Sequence, residues 1–240
     1  MEKHTVSASL TDNTKYMNRA LPVKKSFDII ERNLIIGGQN SAFYFIDGFT
    51  KDETMLKLMD SFLNISADDM PEDATSFSTS CIPYVEVDIL GDFDSIFKNL
   101  LSGVTCLFID GYEAAIAIDC RTYPSRSIEE PDKDKSLRGS RDGFVETIVF
   151  NTALMRRRIR DPHLIMEMYE AGTSTRTDVA LCYMSDRVDR ELLTTIQNKL
   201  EESKSQDLKM SQQSLAEALF QRKWYNPFPK YKFTERPDTA

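Results

Sequence analysis

The stretch from Ser136 to Leu164, SLRGSRDGFVETIVFNTALMRRRIRDPHL, constrains the fold more than any other part of the chain. It opens in a polar turn that contains two glycines. It then continues with apolar residues at helical spacing, at Phe144, Ile148, Met155 and Ile159. Pro162 lacks a backbone donor and stops such a helix. We therefore predict one long helix here, directly after a charged connector.

Arginines stand at both ends of this predicted helix. Asp142 or Ser140 is placed to cap its amino terminus, where an acidic group also favours the helix dipole. Cations are favourable in the last turn, which carries Arg156, Arg157, Arg158 and Arg160. Three successive helical positions span about 200°, so these side chains cannot all face one partner. We expect one of the first three to make a charge-assisted contact across a junction between two subdomains, and the other two to be solvated.

The arginine cluster has two interpretations. The first is compensation of the helix dipole together with salt bridges to the connector carboxylates Glu129, Glu130, Asp132 and Asp134. The second is a site for an anion or carboxylate, or a latch between subdomains, because a planar guanidinium suits bidentate carboxylate recognition. The candidates for ligand or subdomain-interface residues are Arg126, Arg138, Arg141, Asn151, Arg156, Arg157 and Arg158.

The whole chain is predicted to be a mixed α/β protein with two small subdomains, each a mixed β-sheet with packed helices, joined by a charged linker. Residues 1–22 are polar and are expected to form a mobile arm or a loose first helix. The first subdomain, 23–124, has the order ββαβαββ. Residues 125–139 lack apolar periodicity and form the linker. The second subdomain, 140–240, has the order αββαα and a proline-rich exit.

Local signals support the first subdomain. The residues GGQN between the apolar runs Phe27–Ile36 and Ala42–Ile46 predict a hairpin. Residues 65–79 are expected to be a polar loop and Ile82–Leu90 a strand. Asp92 or Asp94 is placed to start the next helix.

The sequences FIDGF and FIDGY, at 45–49 and 108–112, repeat each other. Asp-Gly adopts a positive φ at low cost, so both fit strand-ending turns. A duplicated ligand or metal turn is the other interpretation.

Composition excludes several classes of protein. The net charge of −8 disfavours sequence-independent binding to nucleic acid and adsorption on anionic lipid. The four cysteines are scattered without zinc spacing, which predicts reduced thiols and no metal site. The first 22 residues contain no apolar signal-peptide core, and no apolar run reaches the ~18 residues of a membrane span. Taken alone, the polypeptide is expected to be soluble and cytosolic.

No catalytic constellation is visible. The sequence lacks a P-loop, GxGxxG and GxSxG, and its histidines, His4 and His163, have no partner in sequence. Glu86 and Asp88 are the one pair of carboxylates at a spacing that acid–base chemistry could use, but a solvated sheet face explains them better. We predict no catalytic residues, no cofactor and no enzymatic activity, with the carboxylate pair as the remaining enzyme hypothesis.

Several motifs in the right order resemble the A subunits of spore germinant receptors, the GerA family. That family's signature is roughly RGPREGF, then Glu, then Asn, then a run of arginines. The matching residues are Arg138, Gly139, Arg141, Gly143, Phe144, Glu146, Asn151, Arg156, Arg157 and Arg158. Ser140 and Asp142 depart from it, replacing proline and glutamate. Segments 107–111, 122–131 and 226–240 also match, so the resemblance covers nearly the whole chain.

The resemblance implies an N-terminal soluble domain of a membrane protein in the inner membrane of the spore, with this domain on the cytoplasmic side. The implied partners are the B and C subunits of the receptor, other A subunits and the membrane through a C-terminal part beyond this sequence. A small nutrient such as an amino acid or sugar is a possible ligand, and nucleic acid is not. The implied function is signalling or ligand sensing through the two subdomains during germination. The alternative is an assembly module for receptor oligomerisation and B-subunit contact, with no small-molecule site.

Overall fold

The computed structural model describes residues 4–50, 52–123, 143–204, 215–216, 219 and 231–240. The chain forms two compact units. The first unit contains Met1–Ser125 and Ala153–His163, and the second contains Arg126–Thr152 and Leu164–Ala240. The predicted linker, residues 125–139, lies outside the described residues.

The described part of the first unit contains a five-stranded sheet with the order β1-β2-β4-β5-β3. Its strands are β1 (Ile29–Ile36), β2 (Gln39–Ile46), β3 (Val87–Leu90), β4 (Thr105–Ile109) and β5 (Ala115–Ile118). The prediction of a mixed α/β fold is confirmed, but the sheet itself is not mixed, because its pairings are all antiparallel. Short turns join β1 to β2 and β4 to β5, and such turns allow only antiparallel pairing.

Helices cover both faces of this sheet. They are α1 (Leu10–Ala20), α2 (Asp52–Leu63), α3 (Ala74–Ser80) and α4 (Phe93–Leu101), with a 3₁₀ turn at Ala67–Asp69. Successive strand residues point to opposite faces. Tyr44 therefore packs in the core beneath α1 and α4, whereas Phe43 packs in the core beneath α2 and α3.

The strongest local predictions for this unit are confirmed. The hairpin β1–β2 turns at Gly37 and Gly38, whose φ values of 53° and 79° are those of a type I′ turn. The Asp92 side chain caps α4 by accepting a hydrogen bond from the backbone N–H of Ser95 at 2.9 Å. Both FIDG sequences end strands, with φ of 79° at Gly48 and 91° at Gly111.

Three segments differ from expectation. Residues 1–22 include α1, which Ser9 caps and whose Met17 is fully buried, so this helix is packed rather than mobile. The expected polar loop contains α3, because Asp73 caps it and Phe77 anchors it in the core. The strand expected from Ile82 begins at Val87. Pro83 has no donor for a ladder, and the next apolar residue, Val85, is 96% exposed.

The second unit, as far as it is described, contains a two-stranded antiparallel sheet of β6 (Leu164–Ala171) and β7 (Thr177–Met184), followed by α6 (Arg190–Ser203). Asp189 caps α6 by accepting hydrogen bonds from the two N–H groups of residues 191 and 192. The final helix of the predicted αββαα order falls largely outside the described residues.

The helix with the arginine cluster, α5 (Ile148–Arg158), is shorter than predicted. Asn151 explains its late start, because its side chain bonds both the N–H and the C=O of Val145, at 2.7 and 2.6 Å. Those bonds hold the preceding residues in a non-helical conformation. The caps expected at Ser140 and Asp142 lie outside the described residues.

Within the described ranges, no helix has the length and apolar character needed to cross a membrane.

Candidate functional site

An ion pair between Arg156 and Asp28 lies in the interior of the first unit. The side chains are 0% and 1% exposed, and Arg156 is among the largest fully buried side chains there. Arg156 Nε donates to Asp28 Oδ2 at 2.7 Å, and its Nη2 donates to Oδ1 at 3.2 Å. This bidentate geometry is the strong form of a guanidinium–carboxylate contact.

Neighbouring groups complete the hydrogen bonding of the pair. Ser26 Oγ donates to Asp28 Oδ1 at 2.5 Å, and Arg156 Nη1 donates to the carbonyl of Asp161 at 3.0 Å. Ser26 and Asp28 belong to the turn that leads into β1, and Asp161 follows α5. The buried charges are therefore both paired and hydrogen-bonded, which is the condition for tolerating them in a protein interior.

The pair lies inside the first unit, because residues 153–163 group with it. Arg156 thus makes the charge-assisted contact, while Arg157 and Arg158 are exposed. Asp28 belongs to the predicted first subdomain, 23–124, and Arg156 to the predicted second, 140–240. The boundary differs from the prediction, because residues 153–163 group with the first unit and the contact therefore lies within one unit. The last turn of α5 is anchored in the unit that contains the five-stranded sheet, whereas Ile148–Thr152 of the same helix groups with the second unit.

A second polar cluster surrounds Tyr123, the last described residue before the predicted linker. The guanidinium carbon of Arg157 lies 4.7 Å from the centre of the Tyr123 ring, and that of Arg121 lies 5.9 Å from it. The phenol donates to the carbonyl of Ser102 at 2.9 Å, and the ring meets Phe49 edge-on at 5.3 Å. Cation–π and hydrogen-bond contacts therefore hold the segment that ends at Tyr123 against the first unit.

Arg121 also forms a bidentate ion pair with Asp119, just after β5. The hydrogen bonds from Arg121 hold the pKa of the Asp119 carboxyl below its usual value. The guanidinium is shared further with the carbonyl and hydroxyl of Ser102.

This ion pair predicts a pH dependence. Because the pKa of Asp119 is lower in the folded than in the unfolded chain, the stabilisation is present above about pH 4, the unfolded value, and disappears as pH falls through the lower folded pKa. Asp119→Asn should therefore destabilise the protein near neutral pH by up to about 1 kcal/mol, as partly exposed pairs do. At a pH below the folded pKa of Asp119, the variant and the parent should have equal free energies of unfolding. Urea unfolding near neutral pH and in acid measures this difference, and a difference that is the same at the two pH values would contradict the prediction.

Two open clefts lie on the first unit. The larger, of about 580 Å³, is lined by Tyr84, Val85, Glu86, Asp119, Arg121 and Tyr123. The other, of about 450 Å³, lies beside the turns at Gly37–Gly38 and Gly111 and the Tyr112 side chain. Both volumes are in the range of small-molecule sites. Among the described residues that line these clefts, Arg156, Arg157 and Arg158 do not occur.

The remaining predicted residues are placed as follows. Asn151 lies in the first turn of α5 and bonds Val145, so its contacts are local. Arg126, Arg138 and Arg141 lie outside the described residues. Glu86 lines the larger cleft but Asp88, in β3, does not, so the two carboxylates are not brought into one cleft. His163 contacts Asp161, and His4 packs on Tyr16.

The fold matches a solved structure, the N-terminal domain of the A subunit of the Bacillus megaterium spore germinant receptor GerK3. The TM-score is 0.67 with 21% sequence identity, over 100% of this chain and 88% of that chain. The chain therefore has the fold of a germinant-receptor A-subunit N-terminal domain.

The sequence gives the family. The Bacillus/Clostridium GerA spore germination protein family matches residues 15–240, and the chain belongs to it. Stage V sporulation protein AF of Bacillus subtilis (strain 168) is 32% identical over 240 residues, which is 100% of this chain and 48% of that protein. Spore germination protein KA of the same organism is 29% identical over 239 residues, 98% of this chain and 43% of that protein. The chain thus spans less than half the length of these relatives. The resemblance stated from the motifs is confirmed.

Proposed function

We propose that this chain is the cytoplasmic N-terminal domain of a germinant-receptor A subunit in the inner spore membrane, and that it passes a nutrient signal between its two units. The observation that carries the proposal is the buried Arg156–Asp28 pair at the family's arginine run. In this proposal the domain is not an enzyme, and its partners are the B and C subunits and other A subunits. The nutrient, such as an amino acid or sugar, binds within this assembly.

The pair suits a signalling element because it fixes one end of α5. A guanidinium held bidentately by a buried carboxylate resists rotation of the last helical turn. The same helix begins in the second unit. A structural change in the second unit that displaces the first turn of α5 therefore acts on a helix whose last turn is held by the ion pair. In this proposal the displacement is transmitted through the helix to Asp28 and so to the sheet of the first unit.

The test uses the full-length protein in spores and conservative variants that keep the charge. Arg156→Lys retains the ion pair but loses the bidentate geometry, and a loss of about 1.4 kcal/mol changes a two-state population about tenfold. We expect nutrient-triggered loss of spore refractility to slow severalfold to tenfold at normal protein level. Arg158→Lys, an exposed neighbour, is the matched control and should germinate normally. Normal germination of Arg156→Lys at normal protein level would refute a signal carried through this pair.

One observation favours the alternative, an assembly module without a small-molecule site. Helix α2 exposes Leu56 and Leu63, which are 71% and 59% accessible and seven residues apart, on one side of the helix. Exposed apolar residues in line are typical of a protein–protein contact. In this alternative, Leu63→Asp reduces recovery of the receptor complex from spore membranes, whereas Arg156→Lys leaves both recovery and germination unchanged. Lys57→Gln, at an exposed position on the same helix, changes the net charge by the same −1 and is the control for charge.

A further inference from the structure

The five-stranded sheet ends at β3, and the outer side of this strand is only partly covered. In an antiparallel ladder, residues alternate between pairs that exchange hydrogen bonds and pairs that do not. The Asp119 N–H donates to the Glu86 carbonyl at 2.9 Å, so Glu86 and Asp88 direct their main-chain groups towards β5. The main-chain groups of Val87 and Ile89 therefore point outwards, at an edge where no further described strand pairs.

The same edge already pairs with a short piece of chain just beyond β3. The Phe93 N–H donates to the His4 carbonyl at 3.0 Å, and the Val6 N–H donates to the Gly91 carbonyl at 2.9 Å. After Val6 the chain leaves the edge and enters α1. Within the described ranges, no donor or acceptor reaches the outward main-chain groups of β3. Unpaired groups of this kind are a template for another strand.

The side chains along this edge define the strand that it can accept. Val85 and Ile89, which are 96% and 38% exposed, lie on one face with Val87, whereas Glu86 and Asp88 are exposed on the other. Neither carboxylate forms an ion pair with a described residue. Pairing two β3 strands would bring these carboxylates together, and like charges directly opposite destabilise a strand pair. The edge therefore fits a strand with a basic residue between apolar ones.

A segment of that kind is present at residues 231–234, with the sequence Tyr-Lys-Phe-Thr. It lies outside the helices and strands of the structure. The rings of Tyr231 and Phe233 are 5.2 Å apart, as expected for side chains that share one face of an extended chain. Phe233 is 52% exposed, and Lys232 is exposed and forms no ion pair with a described residue. The segment thus presents aromatic rings on one face and a positive charge on the other.

We infer that residues 231–234 of one copy of the chain add to the β3 edge of a second copy as an antiparallel strand. The facing pairs are Tyr231 with Ile89, Lys232 with Asp88, and Phe233 with Val87. Aromatic–β-branched and opposite-charge pairs are favourable across strands, and main-chain hydrogen bonds to the free edge add to them. The contact joins two different surfaces, so copies assemble head to tail into a ring or a chain. The inference goes beyond the proposed signalling role and does not depend on the buried ion pair.

Sedimentation of the purified 240-residue chain over a series of concentrations tests the contact. One short strand pair is a small, transient interface, so we expect a dissociation constant of about 0.1–1 mM. Asp88→Lys and Lys232→Asp should each weaken association at least about tenfold, because each sets like charges opposite one another. Glu113→Lys, in an exposed turn outside both segments, is the matched control for Asp88→Lys and should associate like the parent. A parent chain that remains monomeric throughout this range of concentrations would overturn the inference.

Mixing the two variants distinguishes a lost contact from a misfolded chain. Asp88→Lys keeps Lys232, and Lys232→Asp keeps Asp88, so an equimolar mixture retains one intact contact. The mixture should form dimers that neither variant forms alone, and the double variant, which restores opposite charges, should also associate. Association that is lost in Asp88→Lys but kept in Lys232→Asp would overturn the assignment of residues 231–234 as the added strand.

Amide hydrogen exchange locates the contact on the edge. The N–H groups of Val87 and Ile89 should exchange more slowly as the concentration of the parent rises, because the added strand pairs them. The N–H of Asp88 already faces β5 and should not change. The slowing at Val87 should be absent in Lys232→Asp. Exchange rates at Val87 and Ile89 that do not depend on concentration would contradict association through this edge.

Discussion

Replacing Arg156 by alanine is expected to lower the free energy of unfolding by about 3–5 kcal/mol, because the variant leaves the buried Asp28 carboxylate without its counter-charge. A cavity from the lost side chain adds to this cost. Urea unfolding followed by circular dichroism measures the change. Because Arg156 is completely buried, alanine at this position is a test of stability, not of signalling.

The neighbouring arginines provide the controls. Arg158→Ala should change the free energy of unfolding by less than about 0.5 kcal/mol, since the side chain is exposed. Arg157→Ala should cost up to about 1 kcal/mol through its contact with the Tyr123 ring. Asp28→Ala should resemble Arg156→Ala, and the double variant should cost much less than the sum of the two. If the Arg156 and Arg158 variants unfold at the same urea concentration, the buried pair does not hold α5.

Short-range signals were sufficient for much of the first unit. The two glycines at 37 and 38 specify a turn with positive φ at both positions, and the apolar runs on either side specify its strands. Asp92 directly precedes apolar residues at helical spacing, Phe93, Ile96 and Leu100, so neighbouring residues alone predicted its role as a helix cap. In each case the interacting groups lie within a few residues of one another.

Segments whose structure depends on distant packing were not predictable in the same way. Helix α1 is mostly polar, and it is ordered because Met17 enters a core made by residues that occur much later in the chain. Helix α3 is short and rich in serine and threonine, and it packs on the sheet side that holds Phe62 through Phe77 and the small Ala74. Intrinsic propensity is a weak guide when tertiary burial decides.

The candidate site shows the same limit. The arginine run was visible in the sequence. Helix geometry also showed that three successive arginines cannot all face one partner. The identity of the partner was not visible, because Asp28 lies 128 residues from Arg156 and no periodicity connects them. The nearby carboxylates of the connector were the natural candidates, but they lie outside the described residues. An aspartate two residues after a serine, directly before β1, was the only local signal.

Gly103 is the position at which a single methyl group is expected to cost most. Its φ of 99° is strained for any other residue, and a Cβ there would overlap Cδ2 of the fully buried Phe49 and lie 3.2 Å from Cδ of Arg121. Gly103→Ala should therefore lower the free energy of unfolding by about 3–5 kcal/mol, from backbone strain and overpacking together. Displacing Phe49 also disturbs its edge-on contact with Tyr123, so a change in tyrosine fluorescence should accompany the loss.

Two other glycines separate these contributions. Gly111 has a φ of 91° with open space around the Cβ position, so Gly111→Ala should cost only the strain, about 1–2 kcal/mol. Gly91 has open space and no positive φ, and Gly91→Ala should be within about 0.5 kcal/mol of the parent. The order Gly103, Gly111, Gly91 in urea unfolding is the expected result. If Gly103→Ala lowers the free energy of unfolding by no more than Gly111→Ala does, Phe49 moves aside for the added methyl group at little cost. The contacts around Tyr123 would then not be rigid.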